Sequence, residues 1–162
     1  DVEGSSQAFE KALSITDNNI VSNNVGAVKH MKADKSSDEV KTLFESSNTK
    51  ESKYNSGLIL IEEGKYEESI TSMGDSKSYN YALANVLAEH YDAASDALDA
   101  INCDCAKSYY LKAIIGARTA NTEMVMENLK SAFEKDASLK DAAKKDREFI
   151  KYFENSDFLA MF

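Results

Sequence analysis

The sequence contains no proline and no tryptophan, and only 6 of its 162 residues are glycine. Average usage would supply roughly eight prolines in a chain of this length. Because proline interrupts helices and strand ladders, a chain without it favours uninterrupted helical segments. Hydrophobic residues make up 43% and charged residues 29%, a composition that excludes a disordered polar chain. We therefore expect a folded, mainly helical protein.

Long apolar runs and an excess of positive charge are also missing. The longest strongly apolar stretch is Leu58-Ile59-Leu60-Ile61, whereas a membrane-spanning helix needs about 20 apolar residues. We therefore expect no membrane insertion by this segment. Asp and Glu number 28 against 19 Lys and Arg, which gives a formal charge of −9. Since such a chain repels a phosphate backbone, we expect no nucleic-acid partner.

Side chains that carry catalysis or metal binding are few. The two histidines, His30 and His90, lie far apart in the chain, and neither has a cysteine or a carboxylate cluster at ligand spacing. Cys103 and Cys105 are too close together to close a long loop, do not define the redox compartment, and have no candidate base to activate a thiol. Glycine-rich phosphate loops, nucleophile elbows and zinc-binding helix motifs are absent. The sequence indicates a protein that is not an enzyme and uses no cofactor or metal.

A repeated pattern of small residues runs along the chain. In four segments, a polar or aromatic residue is followed three positions later by glycine or alanine, and then by an apolar stretch. These segments contain Asn23 with Gly26, Tyr54 with Gly57, Tyr79 with Ala82, and Tyr110 with Ala113. In the second segment, Gly64 and Lys65 interrupt the helical pattern and Tyr66 begins the next one. The pattern predicts a repeated helix-turn-helix unit.

The small residue of each unit has a counterpart in the helix that follows. Gly57 with Ser69, Ala82 with Ala94, and Ala113 with Val125 are each 12 residues apart. Four residues further on come Met73, Leu98 and Leu129, which we expect to pack inward. Two helices that cross at a short distance leave no room for a large side chain where their backbones approach. The spacing therefore predicts a close helix crossing in each unit.

The first unit departs from this 12-residue spacing, and the connections between successive units vary in length. In the first unit the corresponding step runs 14 residues, from Gly26 to Val40, and is followed by Phe44. We expect two extra residues in its turn, around Asp34 to Ser37. Successive units are spaced by 31, 25 and 31 residues, so the connections between them must be short, especially around Gly74 to Lys77.

Three runs carry a resemblance to a known family. They are Tyr-Asn-x-Gly with Gly-Lys-Tyr-x-x-Ser-Ile at 54–70, His-Tyr-Asp-Ala-Ala at 90–94, and Asn-Leu-Lys-Ser-Ala-Phe-Glu-Lys-Asp at 128–136. Residues 19–138 resemble four tetratricopeptide (TPR) helix pairs, although such repeats are usually about 34 residues long. The resemblance implies an all-α fold, a right-handed superhelix of helix pairs. Residues 1–18 resemble the second helix of a further repeat, and we expect the chain to be the C-terminal part of a longer protein.

The pattern changes over residues 139–162, which are rich in large apolar side chains: Phe149, Tyr152, Phe153, Phe158, Leu159 and Phe162. Asn155-Ser156-Asp157 predicts a break and an N-cap within this segment. A helical repeat array leaves its last apolar face open to solvent unless a terminal segment covers it. We therefore expect residues 139–162 to form capping helices.

Tetratricopeptide arrays are similar in that their first helices line a concave groove that receives a peptide or a partner helix. On this chain the groove would also expose Val86 and Ala117. The residues expected to bind a partner are Asn23, His30, Tyr54, Leu58, Tyr79, Leu83, Tyr110 and Arg118. Two roles stay open for the recurring tyrosines: they contact a ligand, or they fill space between adjacent repeats.

A second resemblance concerns residues 110–122 and 146–153. These runs are similar to the C-terminal arrays of OmpA-like cell-envelope proteins of Gram-negative gut bacteria. The resemblance implies a periplasmic or outer-membrane-associated location and a protein partner in the envelope. Two classes of function stay open: a non-catalytic scaffold that binds a protein or peptide, and a structural spacer in a larger outer-membrane-associated protein.

The helix crossings predicted from the 12-residue spacing also predict the effect of one core substitution. Ala82→Leu places a large side chain at a helix crossing, and we expect it to lower the free energy of unfolding by about 1 to 3 kcal/mol. Cys105→Ser, in the connection between two units, should change stability little. Urea denaturation of both variants tests the predicted crossings, and equally small effects would show that the crossing is assigned to the wrong residues.

Overall fold

The computed structural model of the chain describes residues 1–16, 18–32, 37–74 and 76–162, and within these residues it contains helices and no strands. This confirms the expected all-α class. The chain forms two compact units, Asp1–Ser76 and Lys77–Phe162. Alanine is scarce in the first unit, with 4 residues, and abundant in the second, with 16. Each unit is described by itself.

The helices follow one another at short intervals. Unit 1 contains α1 (Val2–Ile15), α2 (Asn19–Lys32), α3 (Asp38–Ser47), α4 (Lys50–Glu62) and α5 (Tyr66–Met73). Unit 2 contains α6 (Tyr79–Leu87), α7 (Tyr91–Ile101), α8 (Ala106–Arg118), α9 (Thr122–Lys135), α10 (Leu139–Ala143), a 3₁₀ helix (Arg147–Tyr152) and α11 (Ser156–Leu159). The four expected pairs are α2 with α3, α4 with α5, α6 with α7, and α8 with α9, and the helices of each pair pack against each other.

In unit 1 the helices of each pair approach closely at a glycine. A Cβ atom added to Gly26 would lie 2.7 Å from the ring of Phe44, and one added to Gly57 would lie 2.5 Å from Cγ of Met73. Ser69, the expected counterpart of Gly57, is buried and donates its hydroxyl to the Gly57 carbonyl at 2.8 Å. Helices α4 and α5 therefore meet where the 12-residue spacing predicts. In both pairs a large side chain, Phe44 or Met73, occupies the space that the glycine leaves.

Unit 2 uses alanine at the same positions. Ala82 and Ala94 are fully buried between α6 and α7, and Ala113 and Val125 are fully buried between α8 and α9. Leu98 and Leu129, four residues beyond the second member of each pair, belong to the same buried clusters. The expected inward packing of Met73, Leu98 and Leu129 is confirmed, because all three are buried.

The same turn joins the helices of three pairs. Seven residues after each crossing residue the backbone takes a positive φ: 74° at Gly64, 64° at Glu89 and 57° at Ala120. The next residue donates its N–H to a carbonyl five positions earlier, from Lys65 to Leu60, from His90 to Asn85 and from Asn121 to Gly116, each at 2.8 Å. This is the Schellman arrangement, which satisfies carbonyl groups at a helix end and reverses the chain. The break expected at Gly64 and Lys65 is confirmed, and the other two turns share its geometry without its glycine.

Two expected connections fall partly outside the described residues. The turn with two extra residues, around Asp34 to Ser37, lies outside them except for Ser37, which is the N-cap of α3. In the connection from Gly74 to Lys77, Asp75 lies outside them.

The C-terminal segment, residues 139–162, packs against α8 and α9. Phe149 and Phe158 are buried with Phe133 of α9 in one apolar cluster. Asn155 is the N-cap of α11 and accepts from the N–H groups of Asp157 and Phe158, so the expected break is confirmed. Leu159 departs from the expectation because 57% of it is exposed. Since α11 is a single short turn, only one of its sides can face the core, and Phe158 occupies that side.

Because the three turns share one geometry, opposite substitutions at equivalent positions should change the free energy of unfolding in opposite directions. A residue with a Cβ costs about 1 to 2 kcal/mol in the left-handed conformation that glycine adopts freely. A Cβ at Gly64 would meet nothing closer than the Tyr66 hydroxyl at 3.9 Å, so Gly64→Ala tests conformation without a steric clash. We expect Gly64→Ala to lower the free energy of unfolding by about 1 kcal/mol and Ala120→Gly to raise it by a few tenths to about 1 kcal/mol. Chemical denaturation measures both, and effects of the same sign would contradict the shared turn.

Candidate functional site

The residues expected to bind a partner lie on the first helix of each helix pair, and both compact units contain such helices. Unit 1 carries Asn23 and His30 on α2 and Tyr54 and Leu58 on α4. Unit 2 carries Tyr79 and Leu83 on α6 and Tyr110 and Arg118 on α8. Within each unit the two first helices contact each other, α2 with α4 and α6 with α8. Each unit therefore has its own face built from two first helices.

In unit 1 two polar contacts join α2 to α4. The Asn55 side-chain amide donates to Oδ1 of Asn23 at 2.9 Å, and Nε2 of His30 lies 3.4 Å from Oε1 of Glu62. Each partner in the second contact lies seven residues, about two helical turns, beyond its equivalent in the first. Both helices therefore advance by the same rise in the same direction, which makes α2 and α4 parallel neighbours in register.

Asn23 corrects one expectation. Only 8% of it is exposed, because it lies between α2 and α4 with its carbonyl oxygen engaged by Asn55. A buried amide needs a hydrogen-bond partner, and here the neighbouring helix supplies one. The expectation that Asn23 is exposed in a groove is wrong.

Tyr54 and Leu58 form a half-buried patch on α4. They are four residues apart, so their side chains lie one turn apart on the same side of the helix. Gly57, beside them in the sequence, is buried against α5. The patch is thus on a rigid helix whose opposite side is fixed by packing, and part of each side chain reaches solvent.

Tyr79 and Leu83 form the corresponding patch on α6. Both are half-buried and pack against the core that α6 shares with α7 and α8. Burial raises the pKa of the Tyr79 hydroxyl above its usual range. Val86, one turn further along and expected in the groove, is buried in that core instead. The expected exposure of Val86 is therefore wrong.

Tyr110 on α8 is occupied by the C-terminal cap. Its hydroxyl donates to Oδ2 of Asp146 at 2.9 Å, and its ring meets the Phe149 ring edge to face with centroids 5.6 Å apart. Burial, and then the hydrogen bond to Asp146, raise the pKa of Tyr110 well above its usual range. Of the two roles that the sequence left open, the contacts of Tyr110 match the filling of space between helices.

Arg118 at the end of α8 joins three elements. Its guanidinium donates from Nε and Nη2 to both carboxylate oxygens of Glu148, at 3.0 and 2.6 Å, and from Nη1 to the Val86 carbonyl at 2.9 Å. This bidentate pair raises the pKa of Arg118 and lowers the pKa of Glu148. Ala117, which precedes it and was expected in the groove, is buried against the same cap, so that expectation is also wrong.

Sequence reasoning missed the residues that engage these side chains. Asn55, Glu62, Asp146 and Glu148 stand 30 or more residues from their partners. The only signal for Asp146 and Glu148 was their place in the run Asp146-Arg-Glu-Phe149, which suggested a closing segment. Periodicity places a residue on one side of a helix but does not name the side chain that faces it.

Two chemical properties of the described residues bear on function. Among them, no three His, Cys, Asp or Glu side chains come together in a way that could hold a metal ion. The helices described here include none that is both long and apolar enough to cross a membrane.

Comparisons of the chain with protein-family models, with curated proteins and with solved structures found no match.

The Arg118–Glu148 pair predicts a pH dependence. A carboxyl whose pKa is lower in the folded than in the unfolded state adds stability above its unfolded pKa, and that stability is lost as the pH falls through the folded value. We expect the free energy of unfolding to decrease as the pH is lowered below about 5. The decrease should be less steep in Glu148→Gln. Glu63, whose pKa is lowered to about 2 by Lys41 and Lys65, keeps part of the acid dependence in that variant.

Denaturation at several pH values measures this slope. Glu154→Gln is the matched control, because Glu154 lies on the same C-terminal segment but is exposed. A slope that changes equally in both variants would contradict the role of the Arg118 pair.

Proposed function

We propose that the chain is a non-catalytic protein-interaction scaffold of TPR-like helix pairs that continue as a right-handed superhelix. The observation that supports this best is the repetition of one helix-turn-helix unit with the same crossing and the same Schellman turn. The parallel register of α2 and α4 also fits, because first helices of consecutive repeats run parallel in such arrays. Extended faces of this kind suit the binding of peptides or partner helices.

The binding residues we propose are the two half-buried patches, Tyr54 with Leu58 and Tyr79 with Leu83. Each patch offers a large aromatic face beside an aliphatic side chain on a helix held by core packing. Tyrosine gives broad contact area with few rotatable bonds, which lowers the entropic cost of binding. The formal charge of −9 favours a partner that is basic around its contact residues. The envelope location implied by the OmpA-like resemblance makes a periplasmic or outer-membrane-associated protein the proposed partner.

One observation favours the second candidate, a structural spacer. Tyr110 and Arg118 have their polar groups engaged by the chain's own C-terminal segment. A spacer needs internally satisfied surfaces and no exposed binding patch. The two candidates differ in whether the Tyr54 and Tyr79 patches contact another protein.

Site-specific photocrosslinking separates them. A photoreactive phenylalanine analogue replaces Tyr54 or Tyr79 in the native protein, and irradiated envelopes are examined for crosslinked proteins. Tyr66 is the matched aromatic control, because it is also half-buried but lies on the second helix of its pair. We expect the same partner from positions 54 and 79 and a much weaker product from 66.

The affinity of variants for the captured partner then measures how much the patch contributes to binding. We expect Tyr54→Ala with Leu58→Ala to weaken binding at least about tenfold, as the loss of a central aromatic contact does. The melting temperature of the same variant shows whether it remains folded. Crosslinking that is equal at all three positions, or a folded double variant with unchanged affinity, would favour the spacer.

A further inference from the structure

A disulfide joins Cys103 and Cys105 in the connection between α7 and α8. The two cysteines are two positions apart, so the bond closes a very small loop. A disulfide stabilises a fold mainly by restricting the unfolded chain, and this effect is smallest for short loops. Both cysteines also lie between the same two helices, so the bond fastens no distant parts of unit 2 together. Its position does not suit a structural crosslink.

The two sulfur atoms have different surroundings. Cys103 is exposed and lines a cleft of about 170 Å³ whose walls include Leu98 and Tyr109. Cys105 is half-buried, and its Sγ lies 3.2 Å from the hydroxyl of Ser108, which is itself buried. An incoming thiol can therefore reach Cys103 more readily than Cys105.

Cys105 is also the N-cap of α8, a helix of 13 residues. In the disulfide form its side chain accepts no capping hydrogen bond, unlike that of Asn121 at the start of α9. A thiolate released at this position would meet the N–H groups of the first helical turn and the Ser108 hydroxyl. Helix N-termini stabilise thiolates, and a stabilised thiolate is a good leaving group in exchange.

The charged groups around the disulfide are paired. Asp104, between the two cysteines, accepts from the Tyr109 hydroxyl at 3.0 Å and forms an ion pair with Lys135. The hydrogen bond from Lys135 lowers the pKa of Asp104. On the other side of the cleft, Lys112 pairs with Asp99 at 2.6 Å. The two carboxylates that line the cleft with Cys103 are therefore paired with lysines, which reduces their repulsion of an approaching or departing thiolate.

We propose that the Cys103–Cys105 disulfide is a thiol–disulfide exchange site, at which a protein that carries a neighbouring pair of thiols attacks Cys103 and releases Cys105 as a thiolate. The first step forms a bond between the incoming sulfur and Cys103 Sγ and breaks the Cys103–Cys105 bond. The second thiol of the partner, as thiolate, then attacks its own sulfur in the mixed disulfide and releases Cys103. The partner dithiol loses two electrons and two protons, and the two cysteines of this chain gain them. The exchange is stoichiometric and lies apart from the proposed binding patches.

The direction of attack can be read by trapping. The disulfide form of the protein is mixed briefly with reduced glutathione and the exchange is stopped with acid. Free thiols are then alkylated with an excess of maleimide, and the products are mapped by mass spectrometry. The sulfur that carries glutathione is the one attacked, and the alkylated sulfur is the one released. We expect glutathione on Cys103 and alkylation on Cys105 at least about fivefold more often than the reverse. Equal or reversed labelling would overturn the assignment.

Single-cysteine variants test the leaving group. The thiol of Cys103→Ser, which retains Cys105, should ionise at least about one pH unit below the thiol of Cys105→Ser, as followed by thiolate absorbance. Adding Ser108→Ala should move the Cys105 midpoint upward, while Ser131→Ala, whose hydroxyl bonds within α9, should not. Identical midpoints for the two cysteines would contradict the role of the helix end.

The unmodified chain gives an independent test. Reduction of the wild-type disulfide by dithiothreitol should lower the melting temperature by no more than about 6 °C, because the bond closes so small a loop. It should also proceed at least about tenfold faster than reduction of oxidised glutathione under the same conditions. A large loss of melting temperature, or a rate no greater than that of glutathione, would make the bond a structural one and overturn the proposal.

Discussion

The short distance at which the two helices of each pair cross determines most of this structure. In unit 1 the crossing requires glycine, because Phe44 and Met73 fill the space that a Cβ atom would need. In unit 2 alanine serves, and the facing residues are small or β-branched. A fixed crossing also fixes where each first helix must end, and the Schellman turns follow seven residues later in three pairs. The crossing and the turn together define a helix pair that the chain can repeat.

Much of this fold could be predicted from the sequence, since small residues that recur at a 12-residue spacing indicate two helices in close contact. The turns at Glu89 and Ala120 could not be read in the same way, because neither residue carries the glycine that marks Gly64. Their geometry is imposed by the crossings on either side of them. The boundary between the two units was not predicted, although alanine rises from 4 residues before it to 16 after it and glycine falls from 5 to 1.

The candidate site was predicted less well, for a physical reason. First helices are covered on more than one side, so their apolar residues no longer mark a single face. Asn23, Val86 and Ala117 were expected at the surface and are buried. The engagement of Tyr110 and Arg118 depends on a segment 30 to 36 residues away. Tyr54, Leu58, Tyr79 and Leu83 lie on the expected helices and are partly exposed. His30, Tyr110 and Arg118 are partly exposed as well, but acidic side chains elsewhere in the same unit engage their polar groups.

The contacts of the C-terminal segment have a mechanical consequence. In unit 1, packing is mainly between helices one or two places apart along the chain, so when a pair such as α4 and α5 unravels under tension it breaks its contacts with α2 and α3. When extended, the 24 residues of this pair, from Lys50 to Met73, would span roughly 80 Å. At the other end, the Arg118 pair and the hydrogen bond from Lys140 to the Met161 carbonyl hold the terminus to earlier helices. A force applied at Phe162 must break these contacts together, so the two units should extend under different loads.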